Sequence, residues 1–208
     1  MKAKEAMVET MGVVALGPTT WGLLGVSVVL AVLVAALVWA WLTGRLTLDL
    51  GWGRSMRPLG PLEVTVDAPR DVVYNVVASP YLSRTPRELR NELDVLERDA
   101  DLVVAAHHTR LSGFTSTTVE SVRFEPPERI SFRLLRGVAP SVTEQFSFDE
   151  TGAGTAFRYH GELAMDFWIL GRIAGRYLVA PTWERVVRRH MEHVKEIAEG
   201  RGNGRRSA

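Results

Sequence analysis

The chain has 208 residues, of which 46% are hydrophobic and 24% are charged, a balance typical of one globular domain with an appendage. Its formal net charge of +1 excludes a bulk electrostatic field of the kind that attracts nucleic acid, so no nucleic-acid partner is expected. Cysteine is absent, which excludes disulfides, thiolate metal sites and a cysteine nucleophile.

The first predicted element is a long apolar run, residues 21–42, that carries no charge. A helix of this length would be about 33 Å long, enough to cross a hydrocarbon core of about 30 Å. Trp21 stands at one end and Trp39 and Trp41 at the other, as in the aromatic belts of membrane proteins. We therefore predict one transmembrane helix, preceded by an N-terminal segment, residues 1–20.

A cleaved signal peptide is the alternative interpretation of this run, but its apolar part would have only about 7–15 residues. In addition, Lys2 and Lys4 lie far upstream of the run, and its end offers a poor cleavage site. Three arginines follow the run, one more than the lysines before it: Arg45, Arg54 and Arg57. By the positive-inside rule, this excess favours a single-pass cell-membrane protein whose C-terminal domain is cytoplasmic.

The remainder is predicted to be a juxtamembrane linker, residues 43–60, followed by one domain, residues 61–199. Apolar alternation predicts a strand at 62–66, then a short helix at 72–78 and a further helical turn within 81–89. Six more strands follow at short, regular spacing, which predicts an antiparallel meander: 91–97, 102–111, 114–124, 129–135, 141–148 and 155–164.

Residues 182–199 are predicted to form a long closing helix, because their apolar positions recur at spacings of three and four. Such a helix must bury its apolar stripe on the sheet, which makes the fold class α+β. Residues 200–208, GRGNGRRSA, contain nothing to bury and are predicted to be a disordered basic tail.

This order of elements resembles the START/Bet v 1-like superfamily, also called SRPBCC or helix-grip proteins, and especially its polyketide cyclase/dehydrase-like branch. The matching stretches are 64–74, 124–130, 144–148, 154–155, 159–162 and 194–199. The resemblance implies a curved antiparallel sheet that grips the long C-terminal helix, with a hydrophobic cavity between them. Members of the superfamily bind lipids, sterols or polyketides, and some catalyse cyclisation, so the fold alone does not select a function.

Strand alternation predicts which side chains face the concave side of the sheet and would form an apolar ligand-binding pocket. The predicted pocket residues are Ile130, Phe132, Leu134, Val142, Glu144, Phe146, Phe148, Phe157 and Tyr159 from the strands, and Trp183, Val187 and Met191 from the helix.

Glu144 is the candidate catalytic residue, because a carboxylate among phenylalanines needs a partner or a raised pKa. It could orient a ligand hydroxyl or act as a general acid or base. Alternatively, it pairs with an arginine at the sheet edge, or a register shifted by one residue places it in water. Tyr159 is either a pocket residue or a core residue with one hydrogen bond.

The histidines do not predict a metal site. His107 and His108 are adjacent on a strand and point to opposite faces, so only one of them can face the interior. His190 and His193 have helical spacing but no third ligand at a supporting distance in the sequence. The chain also lacks a phosphate-binding glycine loop, a dinucleotide fingerprint and a serine elbow, so no cofactor is predicted.

Residues 165–180 are unusually apolar and are expected to pack beneath the start of the closing helix. A mobile gate over the pocket, or a surface that dips into the bilayer, are the alternatives.

Three functions remain open. The first is a membrane-anchored binding protein whose partners are the lipid bilayer and a hydrophobic small molecule or lipid. The second is a cyclase- or dehydrase-type enzyme for an apolar carbonyl compound, which needs two polar groups within reach, such as Glu144 with a histidine or Tyr159. The third is a non-catalytic membrane scaffold with a collapsed cavity.

Overall fold

The computed structural model describes residues 18–82, 91–111 and 113–206. The chain divides into two compact units, Met1–Trp39 and Ala40–Ala208. The described part of the first unit belongs to helix α1, Pro18–Leu42, whose last three residues lie in the second unit. Most of the predicted N-terminal segment lies outside the described residues.

Helix α1 is apolar on every side. Residues Trp21–Leu42 have a mean hydropathy of 2.7, and none of the residues in the most apolar part is buried. A helix satisfies all its internal backbone hydrogen bonds within one segment, which is what a hydrocarbon environment requires. Among the described residues, one helix near the N-terminus is therefore long and apolar enough to span a membrane.

The second unit is built on a curved, seven-stranded antiparallel sheet in the order β1-β7-β6-β5-β4-β3-β2. Strands β2 to β7 pair with their neighbours in sequence, which confirms the predicted meander, and β1 returns to the free edge of β7. The strands are β1 Ser55–Val66, β2 Leu93–Arg98, β3 Leu102–Leu111, β4 Phe114–Glu125, β5 Arg129–Arg136, β6 Ser141–Thr151 and β7 Gly154–Met165.

Strand β1 begins at Ser55 and not at residue 62 as predicted. The sequence disfavoured a strand there because of Pro58 and Gly60, but β1 is an edge strand that pairs only with β7. Its register shifts between Leu59 and Leu62, and an edge position with a bulge is where proline and glycine are tolerated in a sheet.

The rest of the predicted linker is also attached to the domain. Thr47 exchanges two hydrogen bonds with the backbone of Gly137, at 3.0 and 2.8 Å. The backbone N–H of Thr117 donates to the carbonyl oxygen of Thr43 at 3.1 Å. Residues 43–54 are thus a hydrogen-bonded strap on the domain instead of a free linker.

Helix α2, Arg70–Leu82, follows β1 and is longer than the helix predicted at 72–78. Val73, Tyr74 and Val77 are buried, and the helix packs against the C-terminal helix. Most of the helical turn predicted within 81–89 lies outside the described residues.

The closing helix α4, Ala180–Arg206, buries one face on the concave side of the sheet. Val187, Met191 and Val194 lie on that face, which confirms the helix-grip arrangement. The helix continues to Arg206, so the predicted disorder from residue 200 differs from the structure. Each added helical residue gains a backbone hydrogen bond once a helix is nucleated, and this opposes the cost of about 1 kcal/mol for each glycine.

Two short helices connect β7 to α4: α3, Trp168–Ala174, and a π-helix, Gly175–Val179. The expectation that this segment packs into the core is wrong for its large side chains, because Leu170, Tyr177 and Leu178 are exposed. The buried residues of these two short helices are Gly171, Gly175 and Val179. A Cβ atom on Gly171 would lie 1.5 Å from the carbonyl oxygen of Asp166, so the backbones are too close for a larger side chain.

Candidate functional site

Glu144 lies on β6 with its carboxyl group between the sheet and α4. Its Oε1 atom accepts a hydrogen bond from the hydroxyl of Tyr159 at 2.6 Å and another from the indole Nε1 of Trp183 at 2.6 Å. The predicted register is therefore correct, and the partners of the carboxyl group are a tyrosine and a tryptophan, not an edge arginine.

The position opposite Glu144 on β7 is Gly161. A Cβ atom there would lie 2.6 Å from the carbonyl oxygen of Thr143 and 3.3 Å from Cγ of Glu144. The missing side chain therefore leaves the space in which the Glu144 side chain runs towards Tyr159.

The pKa of Glu144 is raised to about 8, first because burial disfavours the charged form and second because Glu120 repels it. The hydrogen bonds from Tyr159 and Trp183 act in the opposite direction. Both donors use Oε1, and no group in the described part of the chain donates to Oε2. At neutral pH the carboxyl group is mainly protonated, and its proton is best placed on Oε2, where it can be donated to a bound molecule.

Glu120 is a second interior carboxyl group, and it was not among the predicted site residues. It lies on β4, is only 6% exposed, and accepts a hydrogen bond from the Thr118 hydroxyl at 3.0 Å. Burial raises its pKa to about 7. The signal was present in the sequence: counting back by two from the buried Phe124 and Val122 places Glu120 on the same face.

His107, on β3, is the histidine that faces the interior. Its Nε2 atom lies 3.6 Å from Oε2 of Glu120 and 3.5 Å from the hydroxyl of Tyr81. Burial, followed by the charge of His108, lowers the pKa of His107 to about 4, so the ring is neutral at physiological pH. His108 points to the other face, where its Nδ1 atom lies 3.0 Å from the hydroxyl of Thr117.

His190, on α4, lies at the edge of the same interior. Its ring centroid is 6.2 Å from that of Phe146, while the residue as a whole is exposed. Desolvation of the ring, followed by the charges of His107 and His193, lowers its pKa to about 4. His193 lies on the solvent side, 3.8 Å from Glu196. His190 and His193 therefore do not point to a common site. Residues 18–82, 91–111 and 113–206 contain no group of three side chains that could hold a metal ion.

The predicted apolar pocket residues are brought together, but they pack mainly on one another. Ring centroids are 5.5 Å apart for Phe132 and Phe146, 5.2 Å for Phe146 and Phe157, and 5.0 Å for Phe148 and the stacked Phe157. One buried cluster contains Ile130, Phe132, Leu134, Val142, Phe146, Phe148, Phe157, Tyr159, Val187 and Met191, with Trp183 packed against it. Contact of these residues with a ligand stays a prediction.

Three residues beside this aromatic cluster are more accessible than its rings. Glu144 and Trp183 are half-buried, and the His107 side chain is half-buried as well. The interior therefore has a closely packed aromatic part, beside which Glu144, Trp183 and His107 are partly exposed, whereas Tyr159 and Glu120 are buried. Acid–base chemistry requires two polar groups in mutual reach, and Glu144 with Tyr159 satisfies that requirement.

Solved structures of similar fold include several enzymes. The Zhui aromatase/cyclase from Streptomyces sp. R1128 is 20% identical, with a TM-score of 0.51 over 73% of this chain and 96% of that one. BexL, a two-domain ARO/CYC protein from the BE-7585A biosynthetic pathway, is 18% identical, with a TM-score of 0.52 over 72% of this chain and 50% of that one. Norcoclaurine synthase from Thalictrum flavum is 11% identical, with a TM-score of 0.52 over 70% of this chain and 87% of that one.

At these identities, the similarity to solved structures establishes the fold and no particular activity. The chain corresponds to about half the length of BexL. The sequence matches none of the curated proteins with which it was compared. The family comparison is more direct, because the family described as polyketide cyclase / dehydrase and lipid transport matches residues 62–199, more than half of the chain. The chain therefore belongs to the polyketide cyclase / dehydrase and lipid transport family.

Proposed function

We propose that the domain binds an apolar small molecule or lipid that carries a carbonyl or hydroxyl group, and that Glu144 recognises that group. The observation that supports this proposal is the position of the two hydrogen bonds from Tyr159 and Trp183 on a single carboxyl oxygen. With Oε1 doubly occupied and the pKa raised to about 8, the other oxygen is available as a donor to an oxygen atom of the ligand.

The residues around Glu144 indicate what the remainder of the ligand should be like. The neighbouring Phe146 and Phe132 offer aromatic surface, and burying apolar surface stabilises a complex by about 25 cal/mol for each Å². A polar head beside Glu144 and an apolar body along the phenylalanines is the arrangement that fits these residues.

Binding can be tested with acetonaphthone and ethylnaphthalene, which differ in a carbonyl group. The full-length protein in lipid nanodiscs is titrated calorimetrically, with empty nanodiscs as the control. We expect acetonaphthone to bind more tightly near pH 6 and to lose this advantage as Glu144 ionises above about pH 8. Glu144→Gln, which keeps a donor but cannot ionise, should remove this pH dependence, and Glu144→Leu should abolish the preference.

Equal affinity of the two compounds at every pH would contradict the role of Glu144. Native mass spectrometry of the purified chain provides a second measurement, because a co-purifying apolar compound supports binding. If neither probe binds and no compound co-purifies, the scaffold interpretation is favoured over a binding protein.

A second candidate function is general acid–base catalysis on a carbonyl compound, as in a cyclase or dehydrase. The observation that favours it is the pair of interior carboxyl groups, with pKa values raised to about 7 for Glu120 and about 8 for Glu144. They lie on β4 and β6, separated only by β5, about 10 Å across the sheet. Near neutral pH, one can act as a base while the other is still an acid.

In such a reaction, Glu144 in its acid form donates its proton to the carbonyl oxygen while the Glu120 carboxylate removes a proton from the adjacent carbon. The electron pair of that C–H bond forms the double bond of an enol, and the total charge is unchanged. This enol is the common first step of aldol cyclisation.

Proton exchange at the methyl group of acetonaphthone in deuterium oxide, followed by NMR, tests this chemistry without knowledge of the natural substrate. Catalysis requires faster exchange with the wild-type protein and a loss of about 10²–10⁴-fold, typical of general acid–base catalysis, with Glu120→Gln or Glu144→Gln. Exchange no faster than in buffer, together with measurable binding, would leave binding as the function.

We also propose that α1 anchors the chain in the cell membrane as a single-pass helix, with the C-terminal domain in the cytoplasm. Its length, its mean hydropathy of 2.7 and the arginine excess after it support this. Because the chain has no cysteine, Gly152→Cys provides a single label site on an exposed hairpin. A membrane-impermeant maleimide should label it only after cell lysis, whereas labelling of intact cells would reverse the orientation.

A further inference from the structure

The segment between β7 and α4 exposes large apolar side chains in place of burying them. Leu170 is 76% exposed and Tyr177 is 70% exposed. We call the whole set the α3 surface: Trp52, Met56, Phe167, Trp168, Ile169, Leu170, Ile173, Tyr177 and Leu178. Soluble monomers rarely expose apolar patches of this kind, and such patches mark interaction sites.

The α3 surface is held in place by a buried carboxylate beneath it. The side chain of Asp166 is 1% exposed and accepts hydrogen bonds from the backbone N–H groups of Leu50 and Gly51, at 2.8 and 2.9 Å. Arg54 donates from Nε to the same carboxylate at 2.8 Å. These bonds attach the last part of the strap, residues 50–54, to the end of β7.

Two aromatic residues next to this carboxylate have an unusual backbone conformation. Phe167 and Trp168 have φ angles of +71° and +44°, which side chains larger than glycine rarely adopt. Their N–H groups donate to the carbonyl oxygens of Trp52 and Gly53 at 2.7 and 3.0 Å. Such conformations persist only where the surroundings impose them, so the exposure of these aromatic rings is built into the fold.

The charged residues within the segment 167–183 have one sign. Residues 167–183 include the exposed Arg172 and Arg176 and no acidic residue. Asp49 and Asp166 beside the strap both pair with Arg54. A shallow groove of about 480 Å³ crosses this region, lined by Gly53, Arg54, Ser55, Trp168, Ile169 and Arg172.

We infer that the α3 surface docks on a lipid bilayer that contains anionic headgroups. Its apolar side chains would enter the boundary between headgroups and acyl chains, about 5–10 Å deep, while Arg172 and Arg176 contact phosphates. Tryptophan, tyrosine and arginine together are the residues favoured at that boundary. A protein partner would be expected to offer carboxylates to these arginines, and a second copy of this surface would bring like charges together.

The short stretch of chain between α1 and the α3 surface also supports a bilayer as the partner. This part of the inference rests on the proposed anchoring of α1. Trp52 follows the end of α1 at Leu42 by only ten residues. Even a fully extended chain of ten residues spans no more than about 35 Å. An anchored α1 therefore keeps the α3 surface close to a bilayer at all times.

Docking would also place the bilayer near the candidate site. The π-helix ends at Val179 and α4 begins at Ala180, three residues before Trp183. Three helical residues correspond to about 5 Å along the axis. The α3 surface thus lies close to the end of α4 whose indole group hydrogen-bonds Glu144.

The absence of cysteine allows a direct test with single labels. Leu170→Cys and Tyr177→Cys are labelled with the environment-sensitive dye NBD in the full-length protein, reconstituted in vesicles of phosphatidylcholine with or without phosphatidylglycerol. Gly152→Cys is the matched control, because it is also exposed and lies in the hairpin at the other end of β7, about 35 Å away. Thermal unfolding verifies that each variant is folded.

We expect lipids carrying a doxyl quencher to quench the labels at 170 and 177 at least twofold more than the label at 152. Substituting both Arg172 and Arg176 by glutamine should reduce this difference at least twofold in anionic vesicles and little in neutral ones. The use of two label positions guards against a local effect of one substitution.

A label at Ala36, in the second half of α1 and six residues before its end, separates the two proposals. Quenching at 36 without quenching at 170 and 177 would overturn docking and leave the anchor intact. Quenching at 170 and 177 without quenching at 36 would support docking and contradict the anchor. Self-quenching at 170 that grows with the protein-to-lipid ratio, without lipid quenching, would show that a second copy covers the surface and would overturn the inference.

Discussion

The hydroxyl of Tyr159 lies 2.6 Å from Oε1 of Glu144 on the neighbouring strand and donates a hydrogen bond to it. Burial and the nearby carboxyl groups Glu144, Glu184 and Glu120 raise the pKa of Tyr159 far above its usual value, so this hydroxyl remains a donor at every accessible pH. The bond therefore survives the ionisation of Glu144 and becomes stronger when the carboxyl group is charged.

Replacing Tyr159 by phenylalanine should raise the pKa of Glu144 further, because the bond from Tyr159 opposes the effect of burial. We expect a loss of about 1 kcal/mol in the free energy of unfolding at neutral pH. Infrared spectroscopy of the protonated carboxyl band, followed against pH, measures the change in pKa. Phe157→Leu, a change in the same core without a hydrogen bond, is the control, and an unchanged titration in Tyr159→Phe would contradict this role.

Gly161→Ala should destabilise the domain and disturb Glu144. The added Cβ atom would lie 2.6 Å from the carbonyl oxygen of Thr143, so the strands must separate, at a cost of about 1–3 kcal/mol. Gly152→Ala is the matched control, because a Cβ atom there meets nothing within 4 Å. Urea unfolding of the two variants compares them, and equal midpoints would show that β6 and β7 have more freedom than the structure indicates.

Stability should fall as pH rises from about 6.5 to about 8. Glu120 and Glu144 have pKa values raised to about 7 and about 8, so the folded state retains protons that the unfolded state has released. The stabilisation is complete below the unfolded value of 4.5 and is lost as pH rises through the folded values. For each unit by which the pKa is higher in the folded state than in the unfolded state, a group contributes at most about 1.4 kcal/mol to the free energy of unfolding.

His107 and His190 act in the opposite direction at lower pH. Their pKa values are lowered to about 4, so the unfolded state takes up protons below 6.5 that the folded state does not. Above pH 6.5 the two histidines no longer contribute to the pH dependence of stability, and the two carboxyl groups determine it. The double variant Glu120→Gln/Glu144→Gln should therefore show a flatter profile between pH 6.5 and 8 in urea unfolding. Parallel stability profiles for the wild type and the double variant would mean that the carboxyl groups of Glu120 and Glu144 are not buried as described.

Asp166→Asn should destabilise the α3 surface. The Arg54 guanidinium, with the backbone N–H groups of Leu50 and Gly51, holds the pKa of Asp166 below its usual range. The charged form therefore contributes stability at neutral pH, and that contribution is lost as pH falls below about 3.8. We expect a loss of about 1–3 kcal/mol in the free energy of unfolding.

Asp149→Asn is the matched control for Asp166→Asn, because Asp149 pairs with an arginine on the exposed side of the sheet. It should change stability by less than about 1 kcal/mol. The NBD label at Leu170 provides a local readout, which should become more mobile in Asp166→Asn only. Equal effects of the two substitutions would contradict the role of Asp166.

Much of the fold was predictable because the strands alternate cleanly. The same alternation placed Glu144 on the interior face, and the alternation of β4, counted back from Phe124, places Glu120 there as well. It could not decide between His107 and His108, because adjacent residues on a strand always face opposite sides. The choice depends on which side α4 covers.

Contacts between distant segments were not predictable from local pattern. The carboxylate of Asp166 bonds residues 112 to 116 positions earlier in the chain, and nothing near Asp166 in the sequence specifies that partner. The same holds for residues 165–180. Their composition suggested core packing, whereas Gly171 lies against the backbone of Asp166 and Gly175 lies against the side chain of Met165, and the large side chains face outward.

The neutral state of His107, inside the domain, and of His190, at the edge of the interior, restricts which molecules can bind. With His107 and His190 uncharged above about pH 4, and Glu144 mainly protonated below about pH 8, these three described side chains offer no positive charge to an anionic guest near neutrality. Transfer of an unpaired ion out of water costs several kcal/mol. Free fatty acids and phosphorylated intermediates should therefore bind poorly, while uncharged alcohols, ketones and phenols should bind. The formal charge of a ligand would thus limit binding whatever its shape.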